Sequence, residues 1–341
     1  MPQGPEPGAR HRAHQDAAAA PLRLSAQSLF YPAAALYAAA ILPLSVLWMP
    51  QWHAHEMLFG FALAVVAGNQ LGPAAGTRVW ALFGLWLLSR IAFLAFPGAV
   101  TAMVVNAAFA AGLALQVAPR LLRSAKKWRN QALPAILIAL CVAAAVFHVR
   151  TAVLLFAALM LFMGGRIIAP SVAGQLQRQG VHLGPRVQPR IEGSLVLIML
   201  VALAWSPACI AAGLLAGIRM LRWRLWALRG RPDLVCLAAG YAWLAVGLVA
   251  YGIRPDTPFM HLITVGALGT LTFNVMALSW LLRARRDPAR HGSIVWGTLG
   301  LGAATVLRLT GYLEAAALCW SAAFLVLLLL FAVGREKLRP S

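Results

Sequence analysis

Long apolar runs, separated by short stretches rich in proline, glycine or charge, limit the folds open to this chain. The first six runs lie near residues 28–49, 54–73, 79–96, 99–119, 131–148 and 151–169. Each is close to the ~20 residues that a helix needs to cross about 30 Å of hydrocarbon. With 61% hydrophobic and 11% charged residues, the chain has too little polar surface to cover a water-soluble core. The sequence therefore predicts a polytopic membrane protein of the all-α class.

The apolar run at 193–221 is too long for one span and too short for two. Read as one helix, it would place the five arginines of 219–231 outside and invert every later loop, against the positive-inside rule. Read as two helices, the run gives arms of ~14 residues, each about 21 Å long, which is shorter than the roughly 30 Å of hydrocarbon. We therefore predict a hairpin of two short helices that bends at Pro207, because proline removes a backbone donor. Further spans near 234–253, 258–282, 293–310 and 312–333 give a transmembrane bundle of about 12 helical segments.

The positions of the basic residues predict how the chain lies in the membrane. The net charge is +20, but the lysines and arginines cluster between apolar runs, as at 120–129 and 283–290. The positive-inside rule assigns such clusters to the cytoplasm, and they are not the continuous basic face that binds nucleic acid. We expect a multi-pass membrane protein, with membrane lipids as neighbours, no nucleic-acid partner and both termini cytoplasmic.

The domain organisation follows from the same composition. Residues 1–24 are rich in proline, alanine and glycine and predict a disordered cytoplasmic tail. Residues 25–335 form one helical membrane domain, and 336–341 a second cytoplasmic tail. The four cysteines are widely separated, which implies no disulfide framework. Because no CxxCH motif is present, any haem would be held without a covalent link.

Potential metal ligands gather in "QWHAHEMLFGF", at the start of the second span. The predicted topology puts His53 and His55 at the same membrane depth as His261, which opens the span at 258–282. Imidazole and thioether groups suit copper, and imidazole also suits haem iron. In a regular helix His53 and His55 point about 200° apart, whereas His53 and Met57 share a face. The pattern predicts two sites or one distorted turn; interfacial histidines also serve simply to anchor helices at the headgroups.

Arginines inside or at the ends of spans are a second group of candidates. Nine acidic residues cannot pair with 29 basic ones, so anionic groups of a ligand are candidate partners for Arg90, which lies within the third span. Arg166 and Arg308 lie near helix ends, where snorkelling to the interface also satisfies a guanidinium. Glu314 is a candidate partner for Arg308.

Four stretches of the sequence resemble the NnrS family of membrane proteins. They are "WHAHEMLFGFALAVVAG" (52–68), "GGRIIAP" (164–170), "RMLRWRLW" with "GYAWLAVGL" (219–248) and "HLITVGALGTLTFNVM" (261–276). The resemblance implies a polytopic protein of the bacterial inner membrane with haem b, copper or both, which protects bacteria, often denitrifiers, against nitric oxide and nitrosative stress. It would make His53, His55 and His261 candidate ligands, with Arg90 and Arg166 as supporting residues.

A second interpretation is a transporter or permease for a small anion or metabolite without a metal cofactor. The broken hairpin at Pro207 and the intramembrane arginine motivate it, because interrupted helices form substrate paths in carriers. No internal inverted repeat supports it. No nucleophile, base and orienting acid can be placed together, so no catalytic residue is assigned. The sequence does not favour any one of three roles for a metal site, namely redox turnover, sensing and metal delivery.

Overall fold

The structure, a computed structural model, describes residues 25–72, 76–181 and 188–336. Within these ranges the chain forms twelve helices and no strand, which confirms the predicted all-α bundle. The helices are α1 (Ala26–Trp48), α2 (53–70), α3 (Thr77–Ala95), α4 (Val100–Ser124), α5 (Trp128–Ala145), α6 (Val149–Arg178), α7 (Pro189–Ala204), α8 (Ala208–Leu221), α9 (Pro232–Ile253), α10 (Thr257–Arg283), α11 (Gly292–Leu309) and α12 (Leu313–Glu336). The predicted tail at 1–24, and all but the first residue of the one at 336–341, lie outside the described residues.

Eight of these helices are long and apolar enough to cross a membrane. Among them α6 is the most buried, with 78% of its central window inside the bundle. It packs against α5, α7, α9 and α10, while α12 packs against α1. The bundle is therefore built around α6, as expected for a membrane domain whose outer helices face lipid.

The predicted hairpin is confirmed as α7 and α8, which have 16 and 14 residues. Pro207 directly precedes α8 at the bend. The close packing of α8 on α9 depends on Gly252, where an added Cβ would lie 2.7 Å from the backbone nitrogen of Ile210. Since Gly252 is almost the last residue of α9, the bend of the hairpin reaches the end of the bundle at which α9 stops.

Three helices contain π-helical segments, at Tyr37–Ile41 in α1, Glu56–Ala62 in α2 and Leu262–Gly269 in α10. The second follows His55 directly, and the third follows His261 directly. A π-helical turn has one residue more than an α-helical turn, so it changes the direction in which the following side chains point, and such turns are frequent at functional sites. The irregular backbone is concentrated around the candidate ligands.

Candidate metal site

A cavity of about 330 Å³ lies at the end of the bundle where α2, α6, α10 and α12 begin, which we call the histidine end. Its wall is mainly apolar and also contains His53, Met57, His261 and Arg308. Small-molecule sites typically have volumes of roughly 300–1,000 Å³ and a similar mixture of apolar and polar groups. The structure thus brings His53 and His261, from helices distant in sequence, to one cavity, which we call the histidine cavity.

The ring of His53 is held by Ser45 near the end of α1. The Nδ1 atom of His53 lies 2.8 Å from the Ser45 hydroxyl, and that hydroxyl donates to the Leu42 carbonyl at 2.6 Å. Because the hydroxyl proton is already used, Ser45 accepts from His53 and Nδ1 carries the imidazole proton. The Nε2 atom of His53 is then the nitrogen with a free lone pair.

His261 is held in the same way by the backbone of its own helix. Its Nδ1 atom lies 2.7 Å from the Thr257 carbonyl oxygen, which can only accept a hydrogen bond. Nδ1 therefore donates, and Nε2 keeps its lone pair. Histidines that bind metals commonly donate the other ring N–H to such an acceptor, which fixes the ring and its tautomer. With Met57, the histidine cavity offers two imidazole nitrogens and one thioether sulfur.

His55 does not line the histidine cavity. Its ring is stacked between Phe93 and Phe147, with centroid distances of 4.2 and 5.0 Å. Its Nδ1 atom lies 2.7 Å from Oε1 of Glu56, and its buried Nε2 atom has no hydrogen-bond partner. His53 and His55 therefore have separate surroundings. His53 lines the histidine cavity, whereas His55 is enclosed by aromatic rings.

Glu56 is the centre of a buried hydrogen-bond network that explains Arg90. The guanidinium of Arg90 donates to Oε2 of Glu56 at 2.5 Å, and the Tyr37 hydroxyl donates to the same oxygen. Arg90 also donates to Oδ1 of Asn106 at 2.6 Å and to the Ser89 hydroxyl at 2.7 Å. The sequence suggested a ligand anion as the partner of Arg90, but the structure gives it an internal carboxylate.

Gly60 makes room for this Glu56 network. A Cβ atom at this position would lie 2.7 Å from Nη1 of Arg90 and 3.1 Å from Oε2 of Glu56. The Gly60 carbonyl in turn accepts a 2.8 Å hydrogen bond from the Trp86 indole. The glycine of "HEMLFGF" is therefore required by the close approach of the arginine on α3 to the carboxylate on α2.

Arg166 lies far from the histidines, although the sequence grouped them. The stretch of α6 from Val153, which lines the histidine cavity, to Arg166 is ~20 Å long. Arg166 lies 3.7 Å from Glu192 and over the ring of Phe162. Arg219 also lies 3.7 Å from Glu192. The structure thus places Arg166 in a separate charged cluster near the opposite end of the bundle.

The glycines before Arg166 allow this second cluster to form. At Gly165 an added Cβ would lie 1.6 Å from Nη2 of Arg219, and at Gly164 it would lie 2.5 Å from the Tyr241 ring. Arg219 is buried and donates to the Leu161 carbonyl at 2.9 Å. The "GGR" stretch therefore serves close packing against α8 and α9.

The expected ion pair between Arg308 and Glu314 is not formed. Glu314 is exposed, and within the described ranges no carboxylate lies within ion-pairing distance of Arg308. The described residues also contain no group of three or more His, Cys, Asp or Glu side chains that could hold a metal ion. A metal in the histidine cavity would therefore depend on His53, His261 and the thioether of Met57.

Comparison with known proteins gives one match. A family model described as NnrS protein matches residues 28–333, which include the histidine cavity and the Glu56 network. No curated protein and no solved structure matches the chain.

Proposed function

Because the chain belongs to the NnrS family of membrane proteins, we propose that it holds haem b or copper in the histidine cavity and acts in the bacterial response to nitric oxide. The observation that carries the proposal is the convergence of His53 and His261 on one cavity. Each ring has its Nδ1 atom bonded to a protein acceptor, which leaves Nε2 available to a metal.

The donor set fits both metal groups. Two imidazoles and the sulfur of Met57 suit copper, and an imidazole pair suits haem iron. A copper ion held by these donors, or a haem held by one of the two imidazoles, would supply a coordination position for nitric oxide. Ser45 and the Thr257 carbonyl orient the two rings, and the apolar wall of the histidine cavity limits access of water.

The proposed orientation places the histidine cavity at the outer face of the inner membrane. The arginine-rich segments at 120–129, 219–231 and 283–290 lie at or just beyond the opposite end of the bundle, where α4, α8 and α10 stop. Cytoplasmic ends of membrane helices carry such an excess of basic residues. This charge asymmetry supports cytoplasmic termini and a cavity on the outer side.

The two features that motivated the permease interpretation have other roles in the described residues. The guanidinium of Arg90 is already taken up by Glu56, Asn106 and Ser89 and is not free to meet an anion. In the hairpin, α8 packs along α9 and α7 packs along α6, and neither helix lines the histidine cavity.

An optical spectrum and a metal analysis of the full chain test the cofactor proposal. The protein is purified in detergent from cells supplied with copper and a haem precursor. We expect bound haem or copper in the wild type and at least a tenfold loss of affinity in His53→Ala and in His261→Ala. Wild-type protein with neither haem absorbance nor copper would contradict the proposal.

His291→Ala is the matched control for these variants. Its Nδ1 atom bonds the Asp287 carbonyl at 2.9 Å, four residues earlier, just as His261 bonds Thr257. His291 lies at the opposite end of the bundle, so its removal should leave the metal content unchanged. Nitric oxide added to the loaded wild-type protein should change its spectrum; an unchanged spectrum would remove the nitric oxide part of the proposal.

A further inference from the structure

Arg308 is the cationic side chain in the wall of the histidine cavity, and no carboxylate of the described residues forms an ion pair with it. It lies at the end of α11, next to the last residue of the helix. Its charge is close enough to interact with both His53 and His261. The other cavity-lining residues include no aspartate or glutamate.

The carboxylate that interacts with His53 is already paired. Glu56 also interacts electrostatically with His53, but its carboxylate is paired with Arg90 at 2.5 Å. The Glu56 network is therefore neutral as a whole, and its carboxylate is not free to pair with Arg308. Arg308 is half-buried, and a bound anion would reduce the cost of holding an unpaired guanidinium in a largely apolar wall.

We infer that the histidine cavity binds a ligand with a planar anionic group, a carboxylate or a nitrite-like oxyanion, and that Arg308 is the residue that holds it. A guanidinium presents paired N–H donors that match the two oxygens of such a group. The inference rests on the proposed function, which places a metal in the same cavity. It adds that an anionic, planar group is bound beside that metal. The anionic group has two sources, namely a propionate of a bound haem or a free small oxyanion.

The test uses the full chain in detergent as wild type, Arg308→Gln and Arg308→Lys, with Arg150→Gln as the control. Arg150 is exposed at the same end of the bundle and does not line the histidine cavity. In the first arm, haem b and its dimethyl ester, which lacks the propionate charges, are titrated into metal-free protein. In the second arm, sodium nitrite is titrated at constant ionic strength and the melting temperature is followed.

A propionate source predicts that the wild type binds haem b at least tenfold more tightly than the ester, and that Arg308→Gln removes the difference. An oxyanion source predicts equal binding of the two porphyrins and a nitrite-dependent rise in melting temperature that Arg308→Gln loses. In both cases Arg308→Lys should keep part of the effect, because it keeps the charge without the paired donors.

The inference is overturned if Arg308→Gln behaves like the wild type in both arms, since Arg308 would then only snorkel to the interface. Failure of the metal proposal gives a different result from failure of this inference. In that case neither porphyrin binds and no copper is retained, while the nitrite arm still reports on Arg308.

Discussion

Two histidines that stand two residues apart, His53 and His55, lie in opposite kinds of environment. His53 lines the histidine cavity, and its Nδ1 atom bonds the Ser45 hydroxyl. His55 is buried between two phenylalanine rings and bonds Glu56 within a network of charged hydrogen bonds. One part of the motif therefore faces a cavity, and the other part connects helices through buried hydrogen bonds.

The backbone explains how one short motif serves both purposes. His53 and His55 belong to a regular helical turn, in which residues two apart face in different directions. The π-helical segment begins at Glu56, whose side chain faces Tyr37 and Arg90, while Met57 lines the histidine cavity with His53. The local geometry thus keeps the Glu56 network separate from the histidine cavity.

The largest effect should come from Arg90→Ala, which leaves the buried carboxylate of Glu56 without its cation. Removing one partner of a buried ion pair costs about 3–5 kcal/mol. We expect the free energy of unfolding in detergent to fall by this order, whereas Arg150→Ala, at an exposed position, should change it by less than about 0.5 kcal/mol.

A double variant tests whether the unpaired charge of Glu56 causes this loss of stability. Adding Glu56→Gln to Arg90→Ala should recover part of the loss, because the unpaired charge is then gone. Equal stability of Arg90→Ala and wild type would show that the Glu56 network does not hold these helices together.

A smaller effect is expected for Gly60→Ala. The new methyl group would lie 2.7 Å from Arg90, and overpacking of this kind costs about 1–3 kcal/mol. The matched control is Gly84→Ala in α3, where an added Cβ meets no atom within 4 Å. That variant should gain about 0.5–1 kcal/mol, because alanine favours the helix. Unfolding curves of the two variants should shift in opposite directions; a shift in the same direction would contradict the packing described for Gly60.

The smallest effect should come from Ser45→Ala, because this substitution changes only a contact of the histidine cavity. Loss of the hydroxyl leaves His53 without the acceptor that fixes its ring, and the loss of such a contact lowers metal affinity on the order of tenfold. Competition with a chelator measures that affinity. A drop in stability comparable to that of Arg90→Ala would contradict the separation of the two regions.

Much of the fold could be predicted from the sequence because membrane spans are set by length and polarity. The apolar runs give the twelve helices, and the bend at Pro207 follows from arms too short for two full spans. The common depth of His53 and His261 follows from the alternation of the helices.

The finer contacts depend on helix rotation, which the apolar pattern does not fix. Ser45 is a single hydroxyl in an apolar run, and only the packing of α1 on α2 brings it to His53. Arg219 reaches Glu192 because Gly165 leaves room for its guanidinium. The "GGR" and "RML" stretches contribute Arg166 and Arg219 to this second cluster, which the sequence pattern did not predict.

The central claim is that His53 and His261 bind one metal centre together. The most direct test is the affinity for copper or haem of the wild type, His53→Ala, His261→Ala and the double variant. If one centre is shared, the first substitution removes most of the binding and the second adds little, so the effects are strongly non-additive. Losses that simply add on a logarithmic scale, as for two independent sites, would contradict the claim.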